Sequence, residues 1–419
     1  MKHLITISTL LASCLLALQQ AIPMPMFARK HQFDCAVCHA AVPRLNVTGY
    51  RYKAAGYRMP YEIGQVQAAD LQKLQNYVAF IGILNGQFGQ VTPAGQPAQS
   101  DTMQMSAQEL DVHPLTGSWN EHWGSGFEVD TLPNGSVSLN QAFVTYQFGQ
   151  SEWYGTIQAG LIPNFLGYAL WDRPVAVTVP LVLQQAAGNA SFNTKFSLAN
   201  PRAAGISANT FWGNTNLSVS VRNRLTSPPN GTLDSQNSPS ANPHMGDVLA
   251  SATLFLDEMR GSGSAVQLYY YNGVSTIPTP AGSTLTMYSN AFQRLGTTVN
   301  YYVTPAVNVY GGVSWGQDAN FQITSNTTGG VLLSQGYFVG AEYFASGTLM
   351  GGLRIENMVG QKNTPYTATA AGTLYLNWRI IQQVIMSTEY QYSSAQINAP
   401  SSSSGQNTST LTLQGLLAF

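Results

Sequence analysis

Leu411-Thr412-Leu413-Gln414-Gly415-Leu416-Leu417-Ala418-Phe419 closes the chain, and its reading decides the fold. Leu411, Leu413, Leu417 and Phe419 share one phase against Thr412 and Gln414, the period-two alternation of a strand with one apolar and one polar face. The same period recurs upstream. Leu217, Val219 and Val221 interleave with Asn216, Ser218, Ser220 and Arg222, and Val307, Val309, Val313 and Trp315 interleave with Asn308, Tyr310 and Ser314. Val266 and Leu268 alternate with Gln267 and Tyr269, and Ala142, Val144, Tyr146 and Phe148 with Gln141, Thr145 and Gln147. Of the 419 residues only 9% are charged, 44% are apolar and 11% are aromatic. Ordinary domains carry about 25% charged residues, so much of this surface must lie out of water or carry uncharged polar groups. Outside the N-terminus no apolar run is long enough for a spanning helix, and the aromatic and β-branched content argues against disorder. Alternation with an apolar exterior and a Ser, Thr, Asn and Gln interior points to a membrane-spanning barrel. A net charge of −1 suggests no nucleic-acid partner.

The pattern from about Tyr77 to Phe419 predicts an all-β antiparallel barrel of sixteen strands, with eighteen as the alternative. Short connections are expected near Gly213-Asn214, Gly261 to Gly263, Thr304-Pro305 and Ser346-Gly347. Long ones are expected at about 224–246, 273–292, 317–330, 359–370 and 394–408. Short periplasmic turns and long outer loops would place both chain ends in the periplasm. The stretch from Pro163 to Arg202 is too long and too apolar for a simple outer loop, and either hides a hairpin or folds inward. Phe419 in outward phase resembles the assembly signal of bacterial outer-membrane barrels.

Residues 1–21 read as a signal peptide: Lys2 and His3 start it, Leu4 to Leu18 is the apolar stretch, and Ala21 is the last residue removed. Cys14 falls within that segment. Cys35 and Cys38 then remain, both in Cys35-Ala36-Val37-Cys38-His39, the attachment signal for c-type haem. Two thiols at this spacing can add to the two porphyrin vinyl groups, and the adjacent imidazole falls on the iron. Zinc would need a second ligand pair of suitable spacing, and a redox dithiol would need a βαβ context; neither is present in the sequence. One covalently bound haem is therefore expected on Cys35 and Cys38, with His39 as axial ligand. For the sixth position Met59 is the first candidate, followed by Met24, Met26 and His31. The domains divide as 22–75, a cytochrome c-like segment, and 76–419, the barrel.

Charge sorts along the same boundary. Arg29, Lys30, Arg44, Arg51, Lys53 and Arg58 face Asp34 alone between residues 22 and 60, a balance of +5, whereas residues 61–419 balance at −7. Some acids, Glu128 and Asp130 among them, are in lumen phase against Phe127 and Val129. A segment of about forty residues cannot bury a core of its own. It either docks in an acidic lumen or sits at the barrel mouth.

Pro25 to Lys30, Cys35 to His39, Pro43-Arg44-Leu45 and Gly49-Tyr50-Arg51-Tyr52-Lys53-Ala54-Ala55-Gly56-Tyr57 resemble the opening of the fused outer-membrane cytochrome-porins of iron-oxidising bacteria. Gln108-Glu109-Leu110-Asp111-Val112-His113-Pro114-Leu115-Thr116-Gly117 is similar to their first barrel stretch. The resemblance implies covalent haem on Cys35 and Cys38, His39 as ligand, and an iron(II):cytochrome c oxidoreductase. Such a protein would take electrons from extracellular Fe(II) at the outer membrane and pass them to a soluble periplasmic cytochrome or other carrier. It implies no sixth ligand and no iron site. Glu109, Asp111, Glu121, Glu128 and Asp130 are acids able to attract a hard cation. A diffusion porin with a haem gate or sensor, or a conduit for another electron donor or acceptor, is the competing reading.

Overall fold

The computed structural model describes residues 26–42, 44–65, 78–93, 100–131, 137–150, 152–162, 176–183, 204–223, 245–256, 263–278, 287–319, 323–324, 327–328, 331–361, 366–399 and 402–418. Cys14, Met24, Phe419 and the signal segment lie outside them. Among the described residues sixteen strands close into one antiparallel barrel. They are β1 (Ala79–Pro93), β2 (Ser100–His113), β3 (Trp123–Thr131), β4 (Val137–Gln150), β5 (Trp153–Leu161), β6 (Ala204–Trp212), β7 (Thr215–Asn223) and β8 (Met245–Phe255). β9 (Ala265–Pro278), β10 (Met287–Thr304), β11 (Val307–Asp318), β12 (Leu332–Phe344), β13 (Leu349–Gln361), β14 (Tyr366–Ile381), β15 (Val384–Ala399) and β16 (Ser402–Ala418) complete it. β16 pairs with β1 from Gln406↔Pro93 to Ala418↔Ile81, so the C-terminal alternation is the seam that closes the barrel.

The expected phases hold. On β7, Leu217 is 53% exposed while Asn216 is fully covered, and the contrast continues along Ser218, Val219, Ser220, Val221 and Arg222. Exposed Val309 and Trp315 alternate with buried Asn308, Tyr310 and Ser314 on β11. The outer surface thus presents Leu, Val and aromatic side chains that water would penalise and a hydrocarbon layer accepts.

Two outward aromatic girdles, which the sequence reading did not resolve, bound this band. Phe80, Trp123, Trp153, Trp212, Tyr301, Tyr343 and Trp378 stand exposed at the short-turn end. Trp315, Tyr337 and Tyr392 stand exposed about six residues further along their ladders, since Trp315 pairs with Leu295, and Tyr392 with Gly372. Six residues of strand span ~20 Å, close to the ~25 Å band of such barrels once the rings are included.

The connections fall where expected but do not keep the expected alternation in length, because the strands run further: Gln361 to Tyr366 is no longer a link than Phe344 to Leu349, and Ala399 to Ser402 no longer than Ile381 to Val384. Residues 394–408, expected as a loop, instead extend β15 and β16 to Ala399 and from Ser402, in register through Ala399↔Ser402. A Ser-, Gln- and Asn-rich stretch lacks apolar contrast, so its alternation is silent while its backbone ladder continues. Between Pro163 and Arg202 the described piece, 176–183, turns inward. Leu181, Val182 and Leu183 bury against Tyr269, Tyr271, Phe292, Tyr310 and Phe338, lumen-facing residues of β9 to β12. Carboxylates hold its backbone: Glu389 accepts from Thr178 N at 3.0 Å, and Glu356 accepts from Leu181 N at 2.5 Å.

The N-terminal segment folds as two short helices, α1 (Met26–His31) and α2 (Val47–Ala54), around the cysteine motif. Asp34 accepts from Ala36 N at 2.8 Å and caps the turn Cys35–Val37. The strand His39–Ala41 then pairs with Arg44–Leu45. Asn46 caps α2 by accepting from Gly49 N at 3.0 Å, and its amide donates back to Ala36 O and Val37 O. A Cβ at Gly49 would collide with the Cys38 carbonyl oxygen, so glycine permits the close seat of α2 on the motif.

Side chains of this segment reach the inner wall around much of the circumference. Tyr50 OH donates to Asn216 at 2.9 Å, Thr156 donates to Ala54 O at 2.8 Å, and Asn377 donates to Val42 O at 3.2 Å. Arg58 donates to Trp123 O at 2.7 Å. Arg44 meets Glu342 of β12 at 2.6 Å, both buried. These contacts fall on residues of the inner wall within a few positions of the short-turn strand ends.

Candidate functional site

A cavity of about 250 Å³ lies between the N-terminal segment and the wall, just below the ~300–1,000 Å³ range of cofactor and ligand pockets. Cys35, Cys38, His39 and Met59 all line it, as do Met26 and His31. Ala79 and Ile81 of β1, Ile385 of β15, and Leu416 and Ala418 of β16 supply the barrel side. The cavity is thus shared between the segment and the seam.

Both cysteines are free thiols, and burial keeps them protonated: Cys38 is pushed up to about 11, and Cys35 is raised as well. Met59 is 3% exposed and packs with Tyr52, Tyr57, Phe143 and Ile162, while Phe27, Phe33 and Cys38 pack against the same cluster. Phe27 stacks on Tyr57 with ring centroids 5.0 Å apart. Glu62 accepts from Met59 N at 2.7 Å and stands 3.9 Å from His31 Nδ1, so one carboxylate orders both candidate ligands. His31 Nε2 lies 3.1 Å from Tyr52 OH. Burial holds the His31 imidazole below its ordinary range, against the opposing pull of Glu62. Burial also pulls Arg58 down to about 10.

Two thiols, an imidazole and a thioether on one largely apolar cavity form a donor set that fits a porphyrin carrying iron. The structure brings together Cys35, Cys38, His39, Met59, Met26 and His31. Met24 lies outside the described residues.

The wall adds residues that sequence reasoning did not assign to this cavity, His113 and Glu128. With Asp111 they present donor atoms within 4.8 Å of one another. The spacing Asp111-x-His113 and Glu128-x-Asp130 puts each pair on one strand face, but their meeting depends on the β2–β3 register, Asp111↔Asp130, which no local pattern reveals. The ladder opens beside them. After Val112↔Val129 it resumes only at Gly117↔Ser125, Leu115 takes φ +53, and Thr116 Oγ1 donates to Phe127 O at 2.8 Å in place of the ladder. Of the other acids, Glu121 sits in the β2–β3 connection 3.9 Å from His122, and the Glu109 side chain is outside the description.

No family model matches the sequence, and no curated protein matches it. Among solved structures the chain is similar to the outer membrane channel DcaP of Acinetobacter baumannii, with a TM-score of 0.52 and 13% identity over 82% of this chain and 97% of that one. It is also similar to the outer-membrane protein OmpT of Vibrio cholerae, with a TM-score of 0.50 and 10% identity over 82% and 97% of the two chains. These likenesses establish the fold, an outer-membrane porin-type barrel.

Proposed function

We propose that this chain is a cytochrome-porin of the bacterial outer membrane, with both termini periplasmic, that oxidises extracellular Fe(II) and delivers the electron to a periplasmic carrier. The observation that carries the reading is the convergence of Cys35, Cys38, His39 and Met59 on one cavity inside a barrel. A bound haem would supply a one-electron centre between an outer donor and a soluble periplasmic cytochrome.

The residues prepare that site. Cys35 and Cys38 are free thiols, and each would add across one vinyl group, sulfur to one carbon and hydrogen to the other. Pairing of His39 with Leu45 holds the backbone of His39, which lines the same cavity as the two cysteines. Met59 offers a thioether favouring ferrous iron, and Phe27, Tyr52, Tyr57 and Phe143 exclude water around it. His31, held neutral at neutral pH, remains the imidazole alternative.

The porin-type fold also supports a second reading, a diffusion channel gated by the N-terminal segment. The inward 176–183 piece and the docked segment favour the conduit, since both occupy the lumen.

Stopped-flow mixing of the oxidised full-length protein with Fe(II) tests the proposal: the haem bands should turn ferrous. In-gel haem staining should vanish in Cys35→Ser/Cys38→Ser. A wild-type haem that stays oxidised with excess Fe(II) at acid and neutral pH overturns the reading, and free passage of small solutes in liposome swelling would favour the channel.

A further inference from the structure

We propose that Asp111 and His113 of β2, with Glu128 of β3, form an exchangeable divalent-cation site on the lumen wall beside the cavity. Their donor atoms lie within 4.8 Å of one another, and ligands of one first-row metal stand about 3–4 Å apart, so small side-chain adjustments close the set. Asp111 and Glu128 are buried and His113 is half-buried.

Asp130, also buried, is the direct cross-strand partner of Asp111, so a further carboxylate stands on the same wall beside the set. His113 and Glu128 also line the cavity, so the set stands on the wall that faces the cysteine motif. Gln141 donates to the Glu128 carboxylate at 2.5 Å, an outer contact of the kind that fixes a ligand's orientation.

The donor chemistry selects the ion. One imidazole with two carboxylates suits Fe(II), Mn(II) or Zn(II). Cu(I) prefers sulfur, and Mg(II) or Ca(II) prefer oxygen alone. Three protein ligands leave coordination positions to water, as in sites whose occupant exchanges. The occupant we assign is the Fe(II) substrate, which rests on the proposed function; the site itself does not.

The test uses full-length haem-loaded protein in detergent, with redox-inert Co(II) as probe read by its visible absorption. Wild type should bind Co(II), and Asp111→Asn, His113→Gln and Glu128→Gln should each weaken binding at least ~10-fold while keeping heat-modifiable migration and haem staining. The same variants should need more Fe(II) for half-maximal haem reduction, and Zn(II) should compete with Fe(II) in the wild type. Equal Co(II) binding by folded variants and wild type overturns the site. Variant-sensitive Co(II) binding with an unaltered Fe(II) dependence keeps the site and overturns Fe(II) as its occupant. Variant-sensitive Co(II) binding in a protein whose haem Fe(II) never reduces keeps the site and removes the iron-oxidase reading.

Discussion

Replacing Arg44 with methionine would withdraw the cation from a buried ion pair between the N-terminal segment and the wall. Arg44 Nη1 donates to both Glu342 oxygens, at 2.8 and 2.6 Å, and Nη2 donates to Tyr302 OH at 3.3 Å. Glu342 also accepts from Asn308 Nδ2 at 2.7 Å and Tyr375 OH at 2.8 Å. Arg44 and Glu342 are 1% and 3% exposed, which rules out appreciable solvent screening. Stranding one partner of a buried pair costs about 3–5 kcal/mol. At ~1.4 kcal/mol per decade this raises the undocked fraction of the segment roughly 10²–10⁴-fold. Amide hydrogen exchange reads that fraction directly: amides of α2, Tyr50 N among them, should exchange faster by that factor while the β12 ladder stays protected. Arg44→Met/Glu342→Gln removes the stranded charge yet leaves an amide to accept from Asn308 and Tyr375, so it should recover more than half of the lost protection. An Arg44→Met protein with wild-type α2 exchange, or a double variant as labile as the single one, would refute docking through this ion pair.

Three further outcomes follow from other parts of the structure. The depressed His31 pKa means that the docked segment binds fewer protons than the released one. Docking should therefore be complete above about pH 6.5 and weaken as pH falls below it, by α2 exchange, with His31→Gln flattening the dependence. Met59→Leu keeps the packing volume but removes the thioether, so the sulfur-to-iron band of the ferric protein should disappear and the potential fall; an unchanged spectrum moves the sixth ligand to Met24, Met26 or His31. Deleting Leu411 to Phe419 removes the Leu411↔Phe88 to Ala418↔Ile81 part of the seam and should abolish the heat-modifiable migration of the wild type; a truncated protein that keeps it would refute closure through this seam.

Legibility followed the strength of local contrast. Leu217, Val219 and Val221 against Asn216, Ser218 and Ser220 announce both strand and facing, because membrane and lumen demand opposite chemistry. Where both faces are polar, as around Ser394 and Ser404, the ladder is real but has no pattern. The 176–183 stretch looked anomalous because its apolar residues serve an apolar patch of lumen made by Tyr269, Tyr271 and Phe338, which strand order alone assembles. The spacing of Cys35, Cys38 and His39 was readable in full. By contrast, Asp111, His113 and Glu128 meet through cross-strand register and an opened ladder, information that resides in pairing rather than in any window of sequence.

The cavity links these features energetically. Its walls come from the N-terminal segment through Cys35, Cys38 and Met59, and from the seam through Ala79, Ile81, Ile385 and Leu416. Neither part alone encloses it. A segment with so little core of its own is held by the lumen, through Arg44 on Glu342 and Tyr50 on Asn216, and those same contacts press the cysteine motif toward the seam. Releasing the segment would therefore expose the residues proposed to hold haem to water as it broke the ion pair. Solvent exposure shifts the potential of such a centre, so the docking equilibrium measured by α2 exchange and the haem potential should move together across the Arg44 and Glu342 variants.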